Sequence, residues 1–134
     1  MSSADVVARI EDYGLIGDCH TAALVDRQGS IDWLCWPRFD SDACFAALVG
    51  DPGNGCWRMS PKSAFTSRRR YRPKTLVLET VFEAGDGEAA LIDFMVERDG
   101  VSHVVRIVEG RRGRVELRMK LILRFGYGRT APWV

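Results

Sequence analysis

The sequence predicts an all-β protein, an antiparallel β-sandwich. Apolar residues recur with period two in short runs, and Gly, Asp and Pro break those runs at hairpin spacing. Two of the breaks have alternation on both sides, which is the mark of a hairpin rather than of a loop. At 134 residues the chain has enough material for one domain with a core, so residues 1–134 are read as a single unit. Apolar residues at 46% and charged residues at 28% give the balance of a folded globular chain, not a disordered one.

The elements follow in order. Thr21-Ala22-Ala23-Leu24-Val25 is a strand, and Asp26-Arg27-Gln28-Gly29 has the composition of a turn. The next strand runs from Ser30 to Trp36, with Ile31, Trp33 and Cys35 expected on one face and Asp32, Leu34 and Trp36 on the other. Pro37, which has no N–H to give to a ladder, ends it. Residues 42–49 lack strand alternation, and Ser41 before them suits a helix cap, so a short helical turn is expected there. Gly50-Asp51-Pro52-Gly53-Asn54-Gly55 is a loop. Residues 55–60 form a candidate strand and residues 68–71 a weaker one. The run Leu76 to Phe82, the turn Ala84-Gly85-Asp86-Gly87 and the return over residues 88–96 make the second hairpin. In that return Ala89, Leu91 and Asp93 alternate against Ala90, Ile92 and Phe94. Two more strands are expected over residues 103–109 and 114–125. In the last, Val115, Leu117, Met119, Leu121 and Leu123 are expected to be buried, opposite Glu116, Arg118, Lys120, Ile122 and Arg124.

Charge narrows the function. Lys plus Arg is 19 and Asp plus Glu is 18, so no net field draws in nucleic acid or an anionic membrane. The dense run Arg68-Arg69-Arg70 with Tyr71 and Arg72 is divided between faces by alternation and reads as a charged edge strand that guards against aggregation. Arg111-Arg112-Gly113-Arg114 reads as a turn. No apolar run is long enough to span a bilayer, and Met1-Ser2-Ser3-Ala4-Asp5 has neither the basic start nor the apolar stretch of a signal peptide. The expected location is the cytoplasm. Cys19, Cys35, Cys44 and Cys56 form no C-x-x-C pair, and Cys19-His20 has no second ligand cluster. They are read as reduced, mostly buried residues, with no metal site and no cofactor expected. His20 and His103 each stand alone and are read as structural.

Several segments, in order along the chain, carry a resemblance. They are Tyr13-Gly14-Leu15-Ile16-Gly17-Asp18, Thr21 to Asp26, Gly29 to Cys35 and Pro37-Arg38-Phe39-Asp40-Ser41. Tyr71-Arg72-Pro73, Ile92-Asp93-Phe94-Met95, Tyr127-Gly128-Arg129 and Pro132-Trp133 follow. This ordered set resembles the opening of bacterial glycoside hydrolase family 15 proteins, the group of glucoamylases and trehalases. The resemblance implies an N-terminal domain of the super-β-sandwich type, incomplete in this chain, followed by a helical barrel that hydrolyses α-glucosides with inversion. Inversion needs two carboxylates roughly 6.5–9.5 Å apart so that a water fits between them. Both belong to the barrel in the family, so no catalytic residue is expected in residues 1–134. The implied partner is that barrel and, through it, an α-glucoside.

Two local readings remain. Asp18, Asp26, Asp32, Asp40 and Asp42 cluster in sequence, but turn and strand positions make them hydrogen-bonded or solvated aspartates rather than an acid–base pair. Trp36, Arg38 and Asp40, on a loop after a strand, are the expected substrate-binding residues. An aromatic face suits the C–H side of a sugar, and planar polar groups suit its hydroxyls. Against this stands local pairing of Arg38 with Asp40 and packing of Trp36 at an internal interface. The apolar finish at Trp133 and Val134 is read as a surface awaiting a partner, with self-association as one outcome. A free-standing sandwich that binds carbohydrate or protein is the alternative.

Overall fold

The computed structural model describes residues 8–133. The readings of Met1 to Asp5 and of Val134 lie outside them. Ten strands form two antiparallel sheets: β1 Gly14–Gly17, β2 Ala22–Val25, β3 Ser30–Cys35, β4 Ala43–Phe45, β5 Cys56–Pro61, β6 Thr66–Tyr71, β7 Leu78–Ala84, β8 Gly87–Arg98, β9 Val101–Arg112 and β10 Leu117–Ile122. The first sheet has the order β1-β2-β3-β5-β10, with β4 also on β3, and the second has the order β6-β7-β8-β9. Among the described residues the helical structure is limited to short 3-10 turns at Ile10–Asp12, Ala47–Val49 and Pro52–Asn54.

Both expected hairpins are present. In the first, the Asp26 carboxylate accepts the amides of Gln28 at 2.9 Å and Ser30 at 2.8 Å, closing the turn between β2 and β3. Gly29 has φ +80, and a Cβ there would lie 2.3 Å from the Met59 carbonyl oxygen, so glycine is required. The second pairs Ala84 with Gly87 across Gly85 and Asp86. A third, not singled out in sequence, turns through Asp99 and Gly100, both at positive φ, between β8 and β9.

The core lies between the sheets. Ile16, Ala23, Val25, Ile31 and Leu34 from the first pack with Leu78 and Met95 from the second. Strict alternation in β3 therefore fails, because Ile31 and Leu34 share a face. The register explains it: Val25 pairs with Ile31 and Leu24 with Trp33, leaving Asp32 as the extra residue of a β-bulge that inverts the pattern after it. Residues 42–49 are also corrected. They form β4 and then the Ala47–Val49 turn, because the Cys35 and Leu34 edge of β3 takes up Ala43 and Phe45 as ladder partners. The last strand is shorter than expected. Met119 is 60% exposed and Leu121 53%, since β10 is the outermost strand of its sheet and no layer of described residues covers it.

One buried ion pair joins the layers. Asp93 of β8 and Arg106 of β9 are cross-strand partners, and both side chains are wholly buried. Arg106 Nε donates to Asp93 Oδ1 at 2.7 Å and Nη2 to Oδ2 at 3.2 Å. The same guanidinium crosses to the other sheet, donating to the Trp57 carbonyl at 2.5 Å and the Gly29 carbonyl at 2.7 Å. It lies 5.2 Å from the Trp57 ring centroid. Burial pushes the Asp93 carboxyl above its ordinary range, and Arg106 offsets this only in part.

A second cluster spans β6, β7 and β9 of the same sheet. Glu79, also buried, accepts from Arg111 and lies 3.4 Å from Arg70 and 3.8 Å from Arg72. Arg111 is thus strand rather than turn. It is the bulged residue between pairs Glu88 with Arg112 and Ala89 with Gly110, and the bulge re-aims its side chain toward Glu79. The arginines of β6 are divided as expected. Arg69 reaches the Val25 carbonyl at 2.9 Å, while Arg68 pairs outward with Glu83 and Glu88. Cys35, Cys44 and Cys56 are buried free thiols, and Cys19 is exposed. Desolvation pushes the Cys44 thiol up to about 11.

Arg106→Met should leave Asp93 buried and unpaired, at a cost of about 3–5 kcal/mol in equilibrium urea unfolding. The double variant Asp93→Leu with Arg106→Met should recover part of that loss, because both charges are then gone. A single variant within about 0.5 kcal/mol of the parent would contradict the assignment. Glu79 gives a pH signature. Burial alone would raise its carboxyl, but the Arg111 hydrogen bond and the charges of Arg111, Arg70 and Arg72 outweigh that and hold it below its ordinary value. A folded pKa below the unfolded one contributes stability above the unfolded value, about 4.3, that is lost as pH falls through the folded value. Glu79→Gln should therefore lower stability at neutral pH and flatten its further decline on acidification. An unchanged acid limb would count against the cluster.

Candidate functional site

A groove with a volume of about 650 Å³ runs between the loop after β3 and the β8–β9 turn. Trp36, Pro37 and Arg38 form one wall, Glu97, Gly100, Val101 and Ser102 the other, and His20 joins them. Local hydrogen bonds assemble it. Asp18 Oδ1 accepts the amides of His20 at 2.9 Å and Thr21 at 3.0 Å, which bends the chain so that Cys19 takes φ +74 and His20 faces outward. Burial would raise the Asp18 carboxyl, but the hydrogen bonds around it more than offset this and hold it below its ordinary value. The Phe39 amide donates to the His20 carbonyl at 2.9 Å, tying the loop to that bend. Arg38 N to Ser41 Oγ at 3.2 Å and Ser41 N to the Arg38 carbonyl at 3.1 Å close the loop on itself.

Of the residues singled out in sequence, Trp36 and Arg38 line this groove, and Asp40 is not among the lining residues. Trp36 packs against the core as well. Arg38 and Asp40 lie 3.6 Å apart with both side chains exposed, a pair worth little in water and free to rearrange. Of the five clustered aspartates, Asp26 and Asp32 line a common pocket, where each is held by structural hydrogen bonds. Asp18 braces the bend, and Asp26 holds the first hairpin. Asp32, placed by its bulge, accepts from Tyr13 Oη at 2.6 Å and from Ser30 Oγ at 2.5 Å. Burial, and then that bond to Asp32, hold the Tyr13 phenol well above its ordinary range.

His20 is not alone, contrary to its sequence reading. Its Nε2 lies 2.7 Å from Glu97 Oε2, across 77 residues of sequence. No local pattern gives such a pairing. The available signal was the Asp99-Gly100 dipeptide, which marks a hairpin whose strand β8 brings Glu97 to the groove. Among the described residues, no cluster of three or more His, Cys, Asp or Glu side chains is placed to hold a metal. None of their helices is long and apolar enough to cross a membrane.

A family described as trehalase-like, N-terminal, matches residues 3–131. A trehalase of Mycolicibacterium smegmatis is 33% identical, with 92% of this chain and 22% of that protein covered. A trehalase of Mycobacterium tuberculosis is 32% identical, covering 92% of this chain and 21% of its own length. Trehalase 1 of Sulfolobus acidocaldarius is 35% identical with the same coverages, 92% and 21%. The chain thus spans about a fifth of the length of these relatives. No solved structure matches. With a family match over nearly its whole length, the chain belongs to the trehalase-like N-terminal domain family.

Proposed function

We propose that this chain is the non-catalytic N-terminal domain of an inverting α-glucoside hydrolase of glycoside hydrolase family 15, of the trehalase or glucoamylase type. The observation that carries the proposal is coverage: the family match fills the chain, yet relatives named trehalases are about five times longer. The groove agrees. Its lining includes one carboxylate, Glu97, already engaged by His20, whereas inverting hydrolysis uses two.

In this reading the chemistry belongs to a helical barrel elsewhere in the parent protein. The sandwich supports that barrel, and the loop bearing Trp36, Arg38 and Asp40 forms part of the substrate pocket wall. The exposed apolar side chains of Met119, Leu121, Phe125 and Trp133 supply a contact surface for the remaining polypeptide. Buried free thiols suit a reducing compartment, so the cytoplasm is the proposed location.

The chain alone should release no glucose from trehalose, maltose or soluble starch. Deleting the region aligned with residues 8–133 from a trehalase-length parent should abolish its activity or its stable expression. Glucose release that copurifies with the 134-residue chain, or full activity of the deleted parent, would overturn the proposal.

A further inference from the structure

We propose that the groove beside Trp36 is itself a glucosyl-binding site, in which the His20–Glu97 pair reads the sugar hydroxyls. The identity of the sugar rests on the α-glucoside reading above, but the binding does not require the barrel. Three features support it. The first is size: about 650 Å³ of open groove admits a disaccharide with water around it. The second is the division of labour between the walls. Trp36, packed on the core, offers an aromatic surface fixed by that packing, the kind against which the C–H face of a pyranose stacks. Glu97 and His20 offer hydrogen-bonding groups in the same groove.

The third is unused capacity. Glu97 Oε2 is engaged by His20 Nε2, while Glu97 Oε1 and His20 Nδ1 make no hydrogen bond among the described residues. A carboxylate oxygen can accept from two neighbouring hydroxyls, and an imidazole nitrogen adds a donor or acceptor beside it. Their mutual bond holds both side chains in place before a ligand arrives, which limits the ordering cost of binding. Arg38 completes the set. Its side chain is 75% exposed, and its weak link to Asp40 leaves the guanidinium able to swing onto a hydroxyl. Asp18 acts only through His20, as a positioning residue, by holding the bend that presents it.

The test is an NMR titration of the 134-residue chain, observing the Trp36 indole N–H and the amides of His20, Glu97, Val101 and Ser102. Trehalose and maltose should both shift these signals saturably, because the groove reads one glucosyl ring. Sorbitol, an acyclic polyol with no ring face to stack, should not. Glu97→Ala and, separately, Glu97→Gln should weaken binding about tenfold or more, the size of a lost hydrogen bond to a charged group. Glu97 is 42% exposed, so both variants should melt with the parent. Lys62→Ala, outside the groove lining, should bind normally. No saturable shift, equal shifts with sorbitol, or full affinity in both well-folded Glu97 variants would overturn the proposal. The readout separates it from the domain assignment. If deletion inactivates the parent while the chain ignores trehalose, the groove falls and the domain reading stands. If the chain binds trehalose while the deleted parent remains active, the reverse holds.

Discussion

Taking a carboxylate and a guanidinium out of water costs several kcal/mol for each, and the Asp93–Arg106 pair recovers this only through dense bonding. Arg106 binds Asp93 through Nε and Nη2 and donates further to the carbonyls of Trp57 on β5 and of Gly29 in the β2–β3 turn, in the opposite layer. That geometry fixes the sandwich in a way apolar contact alone does not. A hydrophobic interface tolerates sliding, whereas a guanidinium bound to two carbonyls and a carboxylate admits one register. Gly29 must be glycine for the turn to come so close, and β8 and β9 must pair in register for Asp93 to face Arg106.

The groove inherits its shape from this frame. β8 and β9 extend beyond the ion pair to the Asp99-Gly100 turn, which places Glu97 on one wall. β3, seated against β2 and β5, ends at the loop that supplies Trp36 and Arg38. His20 bridges the two because Asp18 bends its segment and Phe39 binds its carbonyl. A site assembled from three separate stretches of chain is therefore held by the packing of two sheets.

The fold was largely legible in the sequence because period-two patterning and turn chemistry are local. Both hairpins, at residues 26–29 and 84–87, lie where Gly and Asp interrupt alternation. The errors have physical causes. The bulge at Asp32 inverted the β3 faces, and a bulge depends on partner register rather than on the strand's own residues. The alternation of β10 was real, but alternation shows which residues share a face and not whether another layer covers it. The basic run around Arg111 looked like a turn because its partner, Glu79, is 32 residues away. The site was legible only in part. Trp36 and Arg38 stood out by residue type and loop position, while the His20–Glu97 pair depends on tertiary closure that no local pattern encodes.

Native-state hydrogen exchange measures the coupling of the two sheets most directly, because it reports the opening free energy of each strand separately. If Arg106 locks the layers together, the slowest amides of β3 and β5 in one sheet and of β8 in the other should share one opening free energy. That value should equal global unfolding and carry the same urea dependence. Amides of β5 exchanging through a smaller, distinct opening while β8 stays protected would contradict the account.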